Sequence, residues 1–323
     1  MDVRPQRRKS VQMPHGSAPI ASHIDRSREP RMGSVADKIA KKITMQIRSN
    51  VIDLSGYRAG RELAHEAGLD TDRVRKLVQQ GSDPCHALYV VGQNFASVLA
   101  EQISMMSEAK GYARVVGRAE DEYLPSGPPM SPLTPSYFTT WAFFDVQFGA
   151  SRETMGTTIL RVAELTGLPG WIPDVVSLMH QSRMGFYVNC GIEGSMVMLR
   201  EITTQAMYRC HVPAGYVGRP GELWFVRLMP PVNALVDYHI VFTTPYVLVN
   251  VAEQAMIDYI SRELARMEDR RLPRVQDLYA NLMKHGTDVN HWNEYIFCAY
   301  CGHQHDAIFL TGIPDIKPSL PHA

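Results

Sequence analysis

The sequence has no long apolar run, since none of its hydrophobic stretches approaches the roughly 18 residues that a membrane-spanning helix requires. It also lacks an apolar signal core after its charged beginning. It has no net charge either, because 33 Lys and Arg residues balance 33 Asp and Glu residues. The whole molecule therefore has no net field that attracts polyanions, and the lack of long apolar runs predicts that it does not insert into a membrane.

Cysteine is scarce, with five residues in a chain of 323. Such an odd and low count is not that of a disulfide framework, so we expect reduced thiols in a cytoplasmic protein. The signatures of common enzyme classes are missing as well. There is no GxxxxGKS/T phosphate loop, no GxGxxG after a predicted strand, no GxSxG nucleophile elbow and no HExxH helix. The sequence therefore predicts no catalytic residues.

What the sequence does contain is typical of a globular protein, with 45% hydrophobic and 20% charged residues. Its charges are unevenly distributed, because residues 1–50 hold eleven Lys and Arg against four Asp and Glu. Residues 1–33 are rich in Pro, Arg, Ser and Gly and have no apolar period, which predicts a disordered basic arm. An organelle transit peptide is the alternative interpretation of the same residues.

The apolar pattern changes from helical to strand-like between residues 183 and 250. Five short segments there are rich in β-branched and aromatic residues and are separated by turn signals such as GIEG and GRPG. Five short antiparallel strands are best buried by curling into a small barrel of the SH3-like or OB-like kind. We therefore predict an α+β fold, with helical N- and C-terminal regions around a small five-stranded antiparallel β-barrel.

The regions around the barrel follow from helical periodicity, helix caps and proline. Ser34 and Ser151 are predicted to begin helices. Pro129, Pro132 and Pro135 repeat every three residues, which is the period of polyproline II and predicts a stiff strap. The predicted organisation is a basic arm (1–33), a helical region (34–124), a proline-rich strap (125–136), a second helical region (137–182), the barrel (183–250), a third helical region (251–301) and a C-terminal extension (302–323).

The stretch RELAHEAGLDTDRVRKLVQQ, residues 61–80, has the spacing of two short helices that cross at a tight glycine corner. It resembles a helix-turn-helix, in which the second helix enters the major groove of DNA. The resemblance implies that nucleic acid is contacted by Arg73, Arg75, Lys76 and Gln79. The alternative is a structural corner without a role in binding, because any helix–glycine–helix corner needs similar residue types.

The segment EYIFCAYCGHQH holds two cysteines three positions apart, followed by two histidines. If residues 289–301 are helical, the cysteines lie on one helix face, opposite the apolar residues. Zn²⁺ in proteins takes four thiolate and imidazole ligands in a tetrahedron. The predicted zinc ligands are His291, Cys298, Cys301 and His303. The alternatives are a redox-active cysteine pair and two inert, half-buried cysteines at a helix end.

Three functional hypotheses remain open from the sequence. The first is a non-enzymatic binding or regulatory protein that associates with nucleic acid through the basic arm and the predicted corner. The second is an enzyme with a Cys/His metal site near Cys298 and Cys301. The third is a protein-interaction subunit that docks a protein partner. The sequence predicts neither a substrate nor an oligomeric state.

Overall fold

The structure, a computed structural model of the 323-residue chain, describes residues 33–49, 73–125, 130–166, 171–232, 236–268 and 275–323. The described residues form ten helices and a closed five-stranded barrel, which confirms the predicted α+β fold. Three predictions fall outside the described residues in whole or in part. They concern the basic arm up to residue 32, residues 61–72 of the predicted corner and residues 126–129 of the strap.

The elements follow one another as two helical regions with the strands between them. The helices are α1 (Ser34–Ser49), α2 (73–79), α3 (Pro84–Ser104), α4 (Lys110–Tyr123), α5 (Pro135–Phe144), α6 (Met155–Thr166), α7 (Trp171–Gln181), α8 (Glu253–Glu268), α9 (Val275–His285) and α10 (His291–Ala299). The strands are β1 (Arg183–Glu193), β2 (Met196–Glu201), β3 (Met207–His211), β4 (Leu223–Met229), β5 (His239–Val241), β6 (Tyr246–Leu248), β7 (Tyr300–His303) and β8 (Ile308–Leu310).

The barrel closes in the order β1-β2-β3-β5-β4, because β4 pairs back to β1. All of these pairings are antiparallel except one, since β3 and β5 run parallel, with Cys210 opposite His239. The prediction of a small five-stranded barrel is therefore confirmed, and its purely antiparallel pairing is corrected to a mixed one. The parallel pair arises because β4 does not lie beside β3: β5 separates them in the sheet, and since β5 is antiparallel to β4 it runs parallel to β3.

Strand β4 is buried along its whole length, and its two faces point into different cores. Trp224, Val226 and Leu228 belong to the cluster that fills the barrel. The alternate residues face outward, and Phe225 packs in a second cluster with the helices. Trp292 of α10 covers this outer face, with its ring 5.1 Å from the ring of Phe225. The outward-facing residues of β4 are therefore enclosed between barrel and helices.

The fifth predicted strand, YHIVFTTPYVL, is two strands in the structure. Residues 242–245 separate β5 from β6, and they include Pro245, which has no N–H to donate to a ladder. Strand β5 closes the barrel, whereas β6 pairs with the other half of β4 and leads away from it. Strands β8 and β7 continue from β6, so part of the predicted C-terminal extension belongs to the sheet.

Two helix starts differ from the predicted ones. Pro135, predicted to lie in the strap, occupies the first turn of α5, and the Thr134 hydroxyl caps that helix by accepting from the N–H of Tyr137 at 3.3 Å. Helix α6 begins at Met155 and not at Ser151, because Thr154 and Thr157 exchange backbone-to-hydroxyl hydrogen bonds of 3.2 and 3.0 Å. None of the described helices is long and apolar enough to cross a membrane.

Candidate functional site

A buried ion pair lies between the outer face of β4 and the end of α5. The side chain of Arg227 is fully buried, and its Nη2 donates to Oδ2 of Asp145, whose side chain is only 3% exposed. Nη1 of Arg227 also donates to Ser182, 3.3 Å from the carbonyl and 3.2 Å from the hydroxyl. Such a pair tolerates burial only because its members bond each other and their neighbours.

The pair is not fully satisfied. Within the described part of the chain, Oδ1 of Asp145 and Nε of Arg227 are buried without a hydrogen-bond partner. Burial raises the pKa of the Asp145 carboxyl to about 6, although Arg227 and then Lys284 act to lower it. Native proteins rarely leave such atoms without partners, so an acceptor at Asp145 needs a ligand or a water to complete it.

Lys284 of α9 adds a second, half-buried cation next to this pair. Its Nζ donates to the backbone carbonyl of His180, which lies in the last turn of α7. Burial lowers the pKa of Lys284 to about 8, because the proximity of Asp145 does not offset the loss of solvent. The pKa of His180 lies well below its usual range through burial and the nearby charge of Lys284. The imidazole of His180 is therefore neutral at neutral pH.

His285 follows Lys284 and has a defined tautomer. Its Nδ1 lies 2.7 Å from the backbone carbonyl of Asp145. A carbonyl only accepts, so Nδ1 carries the proton. Burial and the charge of Lys284 lower the pKa of His285 to about 4, so the ring is neutral and its Nε2 is an acceptor. Among the described residues, we find no donor to this Nε2.

A cavity of about 660 Å³ opens above these groups. Both Asp145 and His285 line it, and so do residues of α8, the end of α9 and the loop before α10. The indole N–H of Trp141 donates to the carbonyl of Val289 at 3.2 Å, which ties that loop to α5. A volume of this size is typical of sites for small molecules, which measure roughly 300–1,000 Å³.

The rim of the cavity carries a strained turn. Phe148 and Glu153 pair through two backbone hydrogen bonds of 2.8 and 3.0 Å, and they enclose a tight turn. Arg152 in this turn has a φ of 52°, a left-handed conformation that is unfavourable for a residue with a Cβ. Its side chain is exposed, lines the cavity and forms no ion pair within the described part of the chain. Backbone strain of this kind concentrates at binding sites.

The predicted nucleic-acid residues lie together on α2. All four of them are exposed, whereas Val74 between them is buried against α3. They are Arg73, Arg75, Lys76 and Gln79. The face that was predicted to enter a groove is therefore on the outside of the protein. The first helix of the predicted motif lies outside the described residues.

The predicted zinc ligands lie on different elements, because the helix predicted over 289–301 ends at Ala299. Cys298 is on α10, while Cys301 and His303 are on β7. His291 is seven residues before Cys298 on the same helix, about 10 Å along its axis, so the two cannot share one ion. The described residues contain no group of three or more His, Cys, Asp or Glu side chains placed to hold a metal. Zinc binding by the two cysteines stays a prediction.

The two histidines among the predicted ligands form hydrogen bonds with tyrosines. His291 bonds the hydroxyl of Tyr259 at 2.7 Å, and His303 bonds that of Tyr300 at 2.6 Å. Burial raises the pKa of Cys298, with a contribution from Glu294, and burial alone raises that of Cys301. Both cysteines are therefore thiols at neutral pH, the less reactive form for redox chemistry.

Sequence reasoning missed the cavity because its residues come from five separated segments of the chain. One signal was present: Arg227 is a charged residue inside the apolar strand LWFVRLM, where a charge needs a buried partner. Nothing in the sequence identified Asp145 or His285 as its neighbours. No family model matches the chain, and the comparisons with curated proteins and with solved structures found no match.

Proposed function

We propose that the protein is a non-enzymatic binding protein for a small polar molecule, which occupies the cavity above Asp145. One observation carries this proposal: His285 lines the cavity, and its neutral imidazole, which donates from Nδ1 to the carbonyl of Asp145, leaves Nε2 as an acceptor without a donor among the described residues. A ligand donor at that atom completes its hydrogen bonding. The cavity also has the volume of a site for a small molecule.

The test is a thermal-unfolding screen of the purified chain with a library of small polar metabolites. A ligand that binds only the folded state raises Tm in a concentration-dependent manner. Val289→Trp is the blocking variant, because Val289 lines the cavity from an exposed position, 41% accessible, where a larger side chain enters the cavity without disturbing the core.

The matched control is Val98→Trp on α3, where Val98 is 42% exposed and does not line this cavity. We expect at least one compound to raise the Tm of the wild type and of the control but not that of Val289→Trp. A library in which no compound separates the control from the blocking variant contradicts the proposal.

A second candidate function is nucleic-acid binding by α2, and the joint exposure of its four predicted contact residues favours it. Binding would be salt-dependent, because each phosphate contact releases counterions. We expect the triple variant Arg73→Ala, Arg75→Ala, Lys76→Ala to weaken binding at low salt and to reduce the salt slope by about 2–3.

The control for that experiment removes the same charge elsewhere. Lys110, Arg114 and Arg118 are exposed on α4, so their joint replacement by Ala changes the net charge equally. Equal weakening by the two triple variants would show that only net charge matters, and no binding at low salt would remove this candidate.

A further inference from the structure

Residues 1–32 join the described structure at the rim of the cavity. The backbone N–H of Gly33 donates to Oε1 of Glu153 at 3.0 Å. Those of Val35 and Ala36 donate to the same carboxylate at 3.2 and 2.7 Å. Glu153 is fully buried and belongs to the tight turn at the rim. Because a carboxylate that accepts from the first N–H groups of a helix caps it, this turn fixes the point at which α1 begins.

The start of α1 also packs against the part of this turn that lines the cavity. A Cβ at Gly33 would lie 2.5 Å from the Cβ of Ser151, so only glycine permits this close approach. Gly149 lines the cavity, and a Cβ there would lie 3.1 Å from Cγ2 of Val35. Arg152, the neighbour of Ser151, lines the cavity as well. The residues that precede Gly33 therefore begin at the mouth of the cavity.

Two charged groups of the cavity lining have no ionic partner in the described part of the chain. The lining holds three carboxylates and two guanidinium groups. Glu263 pairs with Arg266, and Asp145 pairs with a buried arginine beneath the cavity. Arg152 and Asp288 remain, and both residues are exposed. An occupant that fits this lining therefore carries charges of both signs.

The lining also offers acceptors that need donors. Nε2 of His285 has no donor among the described residues. Asp288 accepts from the backbone N–H of Asn290 through Oδ1 at 2.9 Å, and its other oxygen receives no donor from the residues that the structure describes. Peptide N–H groups and guanidinium groups are donors of the kind that both atoms need. A peptide that contains arginine therefore matches this wall.

The segment that precedes Gly33 has this composition. Residues 26–32, RSREPRM, contain three arginines and one glutamate. At about 3.3 Å per residue, seven extended residues span about 23 Å, which exceeds the width of a compact cavity of about 660 Å³. Because the segment begins at the mouth, it reaches the cavity wall without any further linker.

We propose that residues 26–32 occupy the mouth of the cavity as an internal ligand. The carboxylate of Glu29 lies toward Arg152, and the arginine side chains of the segment lie toward Asp288. A small molecule that binds the cavity competes with this segment, which makes the contact autoinhibitory. The occupancy of the mouth goes beyond the proposed function, and only the competition rests on it.

The experiment measures backbone hydrogen exchange of the full chain by mass spectrometry, in peptides that cover residues 26–32. A segment held at the cavity wall exchanges more slowly than the same residues in free solution. Val289→Trp fills the cavity from an exposed position, and Val98→Trp is the matched control. We expect exchange of the segment to be about tenfold slower in the wild type and in the control than in Val289→Trp.

A charge reversal tests the contact with Arg152. Arg152→Glu places a second carboxylate opposite that of Glu29, so we expect exchange of the segment to become about fivefold faster. The double variant Glu29→Arg, Arg152→Glu restores opposite charges and should return the rate to within about twofold of the wild type. Arg114→Glu replaces an exposed arginine of α4 that does not line the cavity, and it should leave the rate unchanged.

The inference is overturned if residues 26–32 of the wild type exchange as fast as an unstructured peptide or as fast as they do in Val289→Trp. It is also overturned if the double variant exchanges as fast as Arg152→Glu. The thermal screen tests the proposed function separately. If a compound stabilises the wild type but not Val289→Trp while the segment is unprotected, the cavity binds a ligand and the inference fails. A protected segment in a chain that no compound stabilises keeps the inference and removes the proposed function.

Discussion

The cavity floor consists of Asp145 and His285 together with Arg227 and Lys284 beneath them. This floor and the segment from Cys298 to His303 are both rich in ionisable groups, yet they are built in opposite ways. At the floor, the bonds to Ser182, Asp145 and His285 join residues 45, 82 and 140 positions apart, and the pair at its centre is buried. In the cysteine segment, the bonds of His303 and Cys301 span three and eight positions, and both residues are exposed. Chemical richness along a sequence is thus a poor guide to convergence in space.

The two regions also differ in whether the stability of the fold is enough to account for the residues found there. Exposed thiols and imidazoles at a strand edge cost little and need no functional account. A buried ion pair is different, because apolar residues of similar volume are often as stable or more stable. Packing alone therefore does not account for Asp145 and Arg227.

The largest effect on the free energy of unfolding is expected when one member of the buried ion pair is removed. Asp145→Ala leaves the fully buried Arg227 without its carboxylate. We expect the free energy of unfolding, measured by urea denaturation, to fall by about 3–5 kcal/mol. The double variant Asp145→Leu, Arg227→Met removes both charges and should lie much closer to the wild type. A double variant as unstable as the single one would show that the pair itself stabilises the fold.

How far the sequence predicts these regions depends on the range of the interactions. Local rules were sufficient for the start of α1 and the first four strands, because capping residues and periodicity lie within a few positions. Local rules failed where tertiary contacts determine which elements form. Strands β7 and β8 have only four and three residues and form because β6 offers an edge. The separation of Asp145 from Arg227 left no pattern that local rules detect.

A smaller effect on the free energy of unfolding is expected from a change in pH, and it distinguishes the same two regions. Five histidines of the described residues have pKa values that burial lowers: those of His239 and His285 are about 4, that of His180 is well below 6.5, and those of His86 and His291 are lowered as well. Between pH 6.5 and about 4 the unfolded chain binds protons that the folded chain does not. The stability that these groups contribute is therefore present above pH 6.5 and is lost as the pH falls toward 4.

Asp145 acts in the opposite direction, because its raised pKa of about 6 lets the folded chain bind a proton before the unfolded one. Since five histidines oppose the carboxyl of Asp145, we expect net destabilisation on acidification, which urea denaturation at several pH values measures. His285→Gln should reduce the slope by up to about 1.4 kcal/mol per pH unit. His303→Gln removes an exposed imidazole as the control, and an equal change in both variants would contradict the assignment.

The smallest effect is expected in the cysteine segment. Cys301 is exposed on β7, so without a bound metal Cys301→Ser should change the free energy of unfolding by less than about 0.5 kcal/mol. The zinc hypothesis predicts otherwise: about one zinc per chain by mass spectrometry, lost in Cys301→Ser, together with a marked loss of stability, because metal binding is coupled to folding. Cys190→Ser, another exposed cysteine, is the matched control. If zinc is lost in Cys301→Ser but kept in Cys190→Ser, the cysteine segment recruits ligands from elsewhere in the chain. It would then be built from distant residues, as the cavity floor is, and the contrast between the two regions would disappear.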